Sequence, residues 1–239
     1  AGSSPEGTME YSLDDRTYSA SLPTGTDAGD YDVWYRVKGD SNHNDTAGVK
    51  LSDQVTIAKQ DVPNPTIEFI PSGAAYNGSV QRPVVVVKDA NGRVIPDSEY
   101  TVAYGSTDWT IAGTHKVTVT GKTEGNYNIT TKTEKFTITP MGQNPLSITN
   151  QPGKVQYGDS FTLSAIGGSG TGTVVWQSSD PTVASIDYQS GLVTTQKAGG
   201  PVTITATKQG DVNFGTVTAS WTFCVEPKPV TPIVTAKDR

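Results

Sequence analysis

The stretch VKGDSNHNDTAG, residues 37–48, is where chemistry would be sought first. Asp40, Asn42, His43, Asn44 and Asp45 crowd oxygen and nitrogen donors into one short loop. Such a cluster can hold a hard cation such as Ca²⁺, or it can close a turn through bonds to its own backbone. The calcium-loop pattern fails at its two most demanding places. Counted from Asp40, the Gly needed for the sharp bend is replaced by Asp45, and the bidentate Glu by Leu51. A structural turn is therefore expected over Asp40–Asp45. Weak Ca²⁺ binding is the alternative reading, and no metal centre is expected.

The remaining candidates read in the same direction. GGSGTG, residues 167–172, has neither the G-x-G-x-x-G spacing nor the Lys-Ser/Thr ending of a phosphate loop, and a strand follows it. It is expected to be a hairpin loop. Asp14-Asp15 could pair two carboxylates, but between two short strands they read as a turn. His43 and His115 fall in different segments, so a shared metal or triad is not expected. The 24 acidic residues could supply a sugar-cleaving pair, yet segments of about 80 residues have little depth for a cleft beside their own core. Cys224 is the only cysteine, which rules out an intrachain disulfide. It reads as a free thiol in a late strand, with no base near it to activate it. No enzyme and no cofactor are expected.

The elements that carry these residues are strands. Thr occurs 34 times and Val 25 times, against 6 Leu. Branching at Cβ favours the extended backbone, whereas Leu suits helices. No long window shows helical apolar spacing, so the chain reads as all-β. The net charge of −6 argues against nucleic acid, which needs clustered Lys and Arg. No apolar run approaches the length of a membrane helix.

An internal repeat orders the strands. Ala28-Gly29, Ala112-Gly113 and Ala198-Gly199 each open an alternating strand. Each strand ends in a polar turn holding Asn42, Asn126 or Asn213, and each Asn is followed at once by His43, Tyr127 or Phe214. Each copy closes on a β-rich strand, QVTIA, KFTIT or SWTFC. The Asp40–Asp45 cluster is thus one copy of a recurring turn, and the other copies lack most of its acids. The shared Gly is expected to adopt a geometry that a Cβ would hinder. Pro-bearing joints, QDVPNPT, TPMGQNPL and VEPKPVTP, separate the copies and stiffen the connections. RPVVVVKDANGRVI is expected to turn back on itself at Asn91-Gly92.

The third copy closely resembles bacterial immunoglobulin-like repeats of the group-two (Big) type, found in Gram-positive surface proteins. The likeness rests on Trp176 to Pro181, Val183 to Ile186, Gly191 to Val193, and Ala198-Gly199 ahead of Ile204 to Ala206. The first two copies are similar to related repeats, so the resemblance covers most of residues 7–224. It implies tandem Ig-like β-sandwiches in an elongated array. The divisions expected are 1–59, N-terminally truncated, 64–140, 145–226, and 227–239 as linker and start of a further module. Trp34 and Trp176 are expected to fill sandwich cores.

The resemblance also implies an extracellular location, at the cell surface or cell wall. The expected role is a non-enzymatic spacer that presents a distal domain. An adhesin-type module binding host glycan or protein is one alternative; accessory modules of a secreted carbohydrate-active enzyme are another. Trp109, in a polar loop ahead of Ala112-Gly113, is the candidate ligand-binding residue, with a packed role as its alternative. The final strands hold no Asn or Asp to receive an isopeptide cross-link. Asn44, Asn77 and Asn128 head N-x-S/T sequons. The tail from Pro232 to Lys237 is expected to pair as a strand with a neighbouring molecule, giving weak head-to-tail self-association.

Overall fold

The computed structural model describes residues 2–105 and 108–232. The expected pairing of the tail from Pro232 to Lys237 falls, except for Pro232 itself, outside the described residues. The described chain is all-β, with a single 3₁₀ turn at Asp97–Glu99. None of its helical segments is long and apolar enough to cross a membrane. The contacts divide the chain into two compact, discontinuous units. One comprises Ala1–Ser72, Pro83–Thr107 and Lys116–Phe136; the other Gly73–Arg82, Asp108–His115 and Thr137–Arg239.

In the first unit, strand Gly7–Ser12 pairs antiparallel with Trp34–Gly39, which also takes Val49–Lys50. Glu10 is buried on this sheet and accepts both Nε and Nη2 of Arg36, at 2.9 and 2.7 Å. Both bonds converge on Oε2 and answer the charge that burial would otherwise penalise. Trp34, expected in a core, is only half-buried, with the Lys50 ammonium 5.7 Å from its ring centre.

Strands Thr66–Ile70, Val84–Lys88 and Val94–Ile95 form a second antiparallel sheet. The hairpin between its last two strands closes at Asn91-Gly92, as the sequence suggests. Gly92 takes φ +80°, and the Asp89 carboxylate accepts the N–H groups of Asn91 and Arg93. The core gathers Val62, Val87, Ile95, Tyr100, Val119, Tyr127 and Ile129. A two-residue period puts Val117 and Val119 inward from strand Gly113–Gly121.

The second unit contains a β-sandwich. One sheet has the strands Ser160–Thr162, Leu192–Thr195 and Ala184–Ile186. The other has Val174–Ser178, Gly199–Lys208 and Val217–Val225. Between them lie Leu163, Trp176, Val193, Val202, Ile204 and Ala206, so Trp176 fills a core as expected. Burying a side chain such as Ile204 or Val193 contributes about 1.5–3 kcal/mol each. Strand Val217–Val225 alternates half-buried and exposed residues, which leaves the Cys224 thiol free and exposed.

Candidate functional site

The polar turns come first, because the sequence puts its donors there. The Asp40 carboxylate accepts the N–H of Asn42 at 2.8 Å and meets His43 Nδ1 at 2.8 Å. Those contacts, the Asn42 N–H foremost, hold its pKa below the usual carboxylate range. The Asp45 carboxylate accepts the Gly39 N–H at 3.0 Å. Both acids are turned onto the loop's own backbone, which is the work of a turn. Among the described residues no three His, Cys, Asp or Glu side chains gather in a way that could hold a metal ion.

Asp14 behaves alike. It accepts the N–H groups of Thr17 and Arg16 and the Ser12 hydroxyl, and these bonds hold its pKa well below the ordinary value. Asp15 instead accepts the Tyr18 hydroxyl. The two carboxylates face different partners and do not form an acid–base pair. In the GGSGTG loop, the Thr171 N–H donates to Asp211 at 2.7 Å and the Ser169 N–H to Gln143 at 3.0 Å. With the Gly168 N–H on the Pro145 carbonyl, three of the loop's N–H groups are thus committed within the protein.

Trp109 is 1 % exposed, and its indole stacks on His115 with ring centres 4.6 Å apart. Its carbonyl accepts the Gln81 N–H, and His115 Nε2 lies 3.1 Å from the Ile111 carbonyl. Next to it, Asp108 accepts the Thr110 hydroxyl and N–H, which lower its pKa. The ring is packed against protein and presents no open face for a sugar. His43 belongs to the first compact unit and His115 to the second.

What the structure does assemble is a recurring joint. Asn126 Oδ1 accepts the Ala28 N–H at 2.6 Å, and Asn213 Oδ1 accepts the Ala112 N–H at 2.9 Å. The carbonyl of the same Asn also accepts a linker N–H, from Gln60 onto Asn126 and from Met141 onto Asn213, each at 2.9 Å. At the first joint Asn126 Nδ2 further donates to Asp27 at 3.0 Å, and the buried Glu99 accepts the Asn126 N–H at 2.6 Å. Gly29, Gly113 and Gly199 hold φ of +154°, +150° and +151°. A side chain has open space at the first two, so the backbone angle, not crowding, makes them glycine. The repeat exposes the Ala-Gly pair and the Asn as matching features. It carries no sign that the Asn of one copy answers the Ala of the copy before it. Asp27 and Glu99 also escaped the sequence reading, because neither recurs.

Comparison with known proteins bears on the same segments. Residues 144–219 match the model of the bacterial Ig-like domain (group 2). No curated protein sequence matches the chain. Among solved structures, it resembles a protocadherin gammaB7 EC3-6 cis-dimer structure at 15 % identity and TM-score 0.29, covering 83 % of this chain and 56 % of that one. A C-terminal 282-residue fragment of intimin, solved in complex with the intimin-binding domain of the translocated intimin receptor, is 21 % identical with TM-score 0.27, covering 68 % and 63 %. The S-layer protein rSbsC(31-844) is 17 % identical with TM-score 0.26, covering 95 % and 36 %. The chain thus spans less than two thirds of each of these three structures.

Proposed function

We propose, from a chain whose residues 144–219 match the bacterial Ig-like domain, that this is a non-enzymatic spacer of an extracellular, cell-surface or cell-wall protein. Three modules, 1–59, 64–140 and 145–226, would hold a distal domain away from its anchor. The observation that carries this reading is the joint built twice to one plan, Asn126 on Ala28 and Asn213 on Ala112. A spacer needs connections that repeat and resist bending. Pro-rich linkers add to that stiffness. The carboxylates nearest to a catalytic arrangement are engaged by turn N–H groups. Small-angle X-ray scattering of the full chain tests the reading. A spacer gives a radius of gyration well above the roughly 18 Å of a compact globule of this length; a value near 18 Å overturns it.

A recognition role is favoured by one other feature. Trp221 and Phe223, both half-buried on strand Val217–Val225, stack at 4.3 Å with Phe161 edge-on to each. Partly open aromatic faces bind sugars and protein partners. A glycan array comparing the wild type with Trp221→Ala checks it, and binding that survives the substitution rejects this surface.

A further inference from the structure

We infer that the Asn42 turn of one copy of this chain docks on the Ala198 end of another, reproducing between chains the bond that Asn126 makes to Ala28 and Asn213 to Ala112. This stands on the joint geometry and does not require the spacer reading.

The acceptor half is already built. The Asp40 carboxylate accepts the Asn42 N–H at 2.8 Å, as Asp211 accepts the Asn213 N–H at 2.9 Å. A Cβ on Gly39 would strike the His43 carbonyl, and one on Gly210 would strike the Phe214 carbonyl, so each turn closes over the Gly three residues ahead of its Asn. Asn42 is exposed, and its carboxamide makes no hydrogen bond among the described residues. It is the one repeat Asn whose side chain is not already committed to an Ala N–H.

The donor half is built too. Gly199 holds φ +151°, matching Gly29 and Gly113, so the Ala198 N–H is presented in the same backbone setting. Among the described residues nothing accepts it. Charge selects the partner. The place of Asp27, just ahead of the Ala, holds Lys197 in the third copy. The Asn42 turn carries Asp40 and Asp45, whereas no acid besides Asp211 lies in the Asn213 turn. Opposite charges meet where Lys197 approaches the Asn42 turn.

The contact lacks one bond of the intrachain joints. Glu226, at the place of Gln60 and Met141, gives its N–H to the Val155 carbonyl. Association between chains is therefore weak and visible only at high concentration. Because donor and acceptor are different patches of the chain, the contact is heterologous.

Sedimentation velocity of the full chain, from micromolar to millimolar concentration, tests this. The wild type should show a weight-average sedimentation coefficient that rises with concentration and falls with added salt. Asn42→Ala should weaken association roughly fivefold, the scale of one hydrogen bond. Lys197→Glu, at an exposed site, should weaken it as well, and unchanged melting of either variant shows that it folds. A wild type that stays monomeric to millimolar concentration, or a folded variant that associates like the wild type, overturns the inference.

Discussion

Asn213 reaches 101 positions back along the chain to accept the backbone N–H of Ala112, 2.9 Å from its Oδ1. Ala112 is 3 % exposed, so water cannot replace that acceptor. The bond is a small one between uncharged groups, yet it satisfies a donor that the strand ladder leaves over at its start.

Asn213→Ala should therefore destabilise the chain by about 1–3 kcal/mol, the cost of a buried donor left unmade. Asn126→Ala should cost less, about 0.5–1.5 kcal/mol, because Ala28 is half-buried and water can reach it. Denaturant melts of the two variants check the order. Equal losses would show that burial at Ala112 does not matter.

Gly113→Ala and Gly113→Val should destabilise by nearly the same amount, roughly 1–3 kcal/mol. The penalty arises from φ +150°, while nothing lies within 4 Å of the added Cβ. Gly142 also has open space but no positive φ, so Gly142→Ala should be close to neutral. A Val variant much worse than Ala would point to crowding instead.

Trp109→Ala should cost about 3–5 kcal/mol, the range for removing a buried aromatic. The ring is fully enclosed and stacked on His115. Trp109 fluorescence should resist quenching by iodide in the folded protein. A variant that melts like the wild type would contradict the packed placement.

Asp211 ties the GGSGTG loop to the Asn213 turn. The Thr171 N–H, then the Asn213 N–H, hold its pKa below the ordinary value. A folded pKa below the unfolded one means the stabilisation is complete above the usual aspartate value of about 3.9. It is lost as pH falls from there through the lowered folded value. Asp211→Ala should thus lower the melting temperature at pH 6 and close much of its gap to the wild type near pH 3. A gap that does not narrow on acidification would refute the linkage.

The strand content, the turn at Asn91-Gly92, the buried Trp176 and the three-fold Ala-Gly and Asn pattern are all readable in the residues themselves. Local chemistry sets each of them: Cβ branching, turn propensity, and a backbone angle only Gly accepts cheaply. The Asp40–Asp45 turn was legible for the same reason, since an acid two residues ahead of an N–H closes its own loop. Tertiary structure decided the rest. Trp109 sits in a polar stretch, and only the approach of His115 and the Gln81 segment makes it interior. Trp34 lies in an alternating strand like Trp176, but Trp176 is buried among core residues whereas Trp34 is only half-buried. The Asn residues follow the Ala at 14, 14 and 15 positions in the three copies. The bonding partners of Asn126 and Asn213, though, lie about a hundred residues away, in the copy before. A hydrogen bond is specific in three dimensions and leaves no periodicity along the chain, so it emerges only when the backbone is folded.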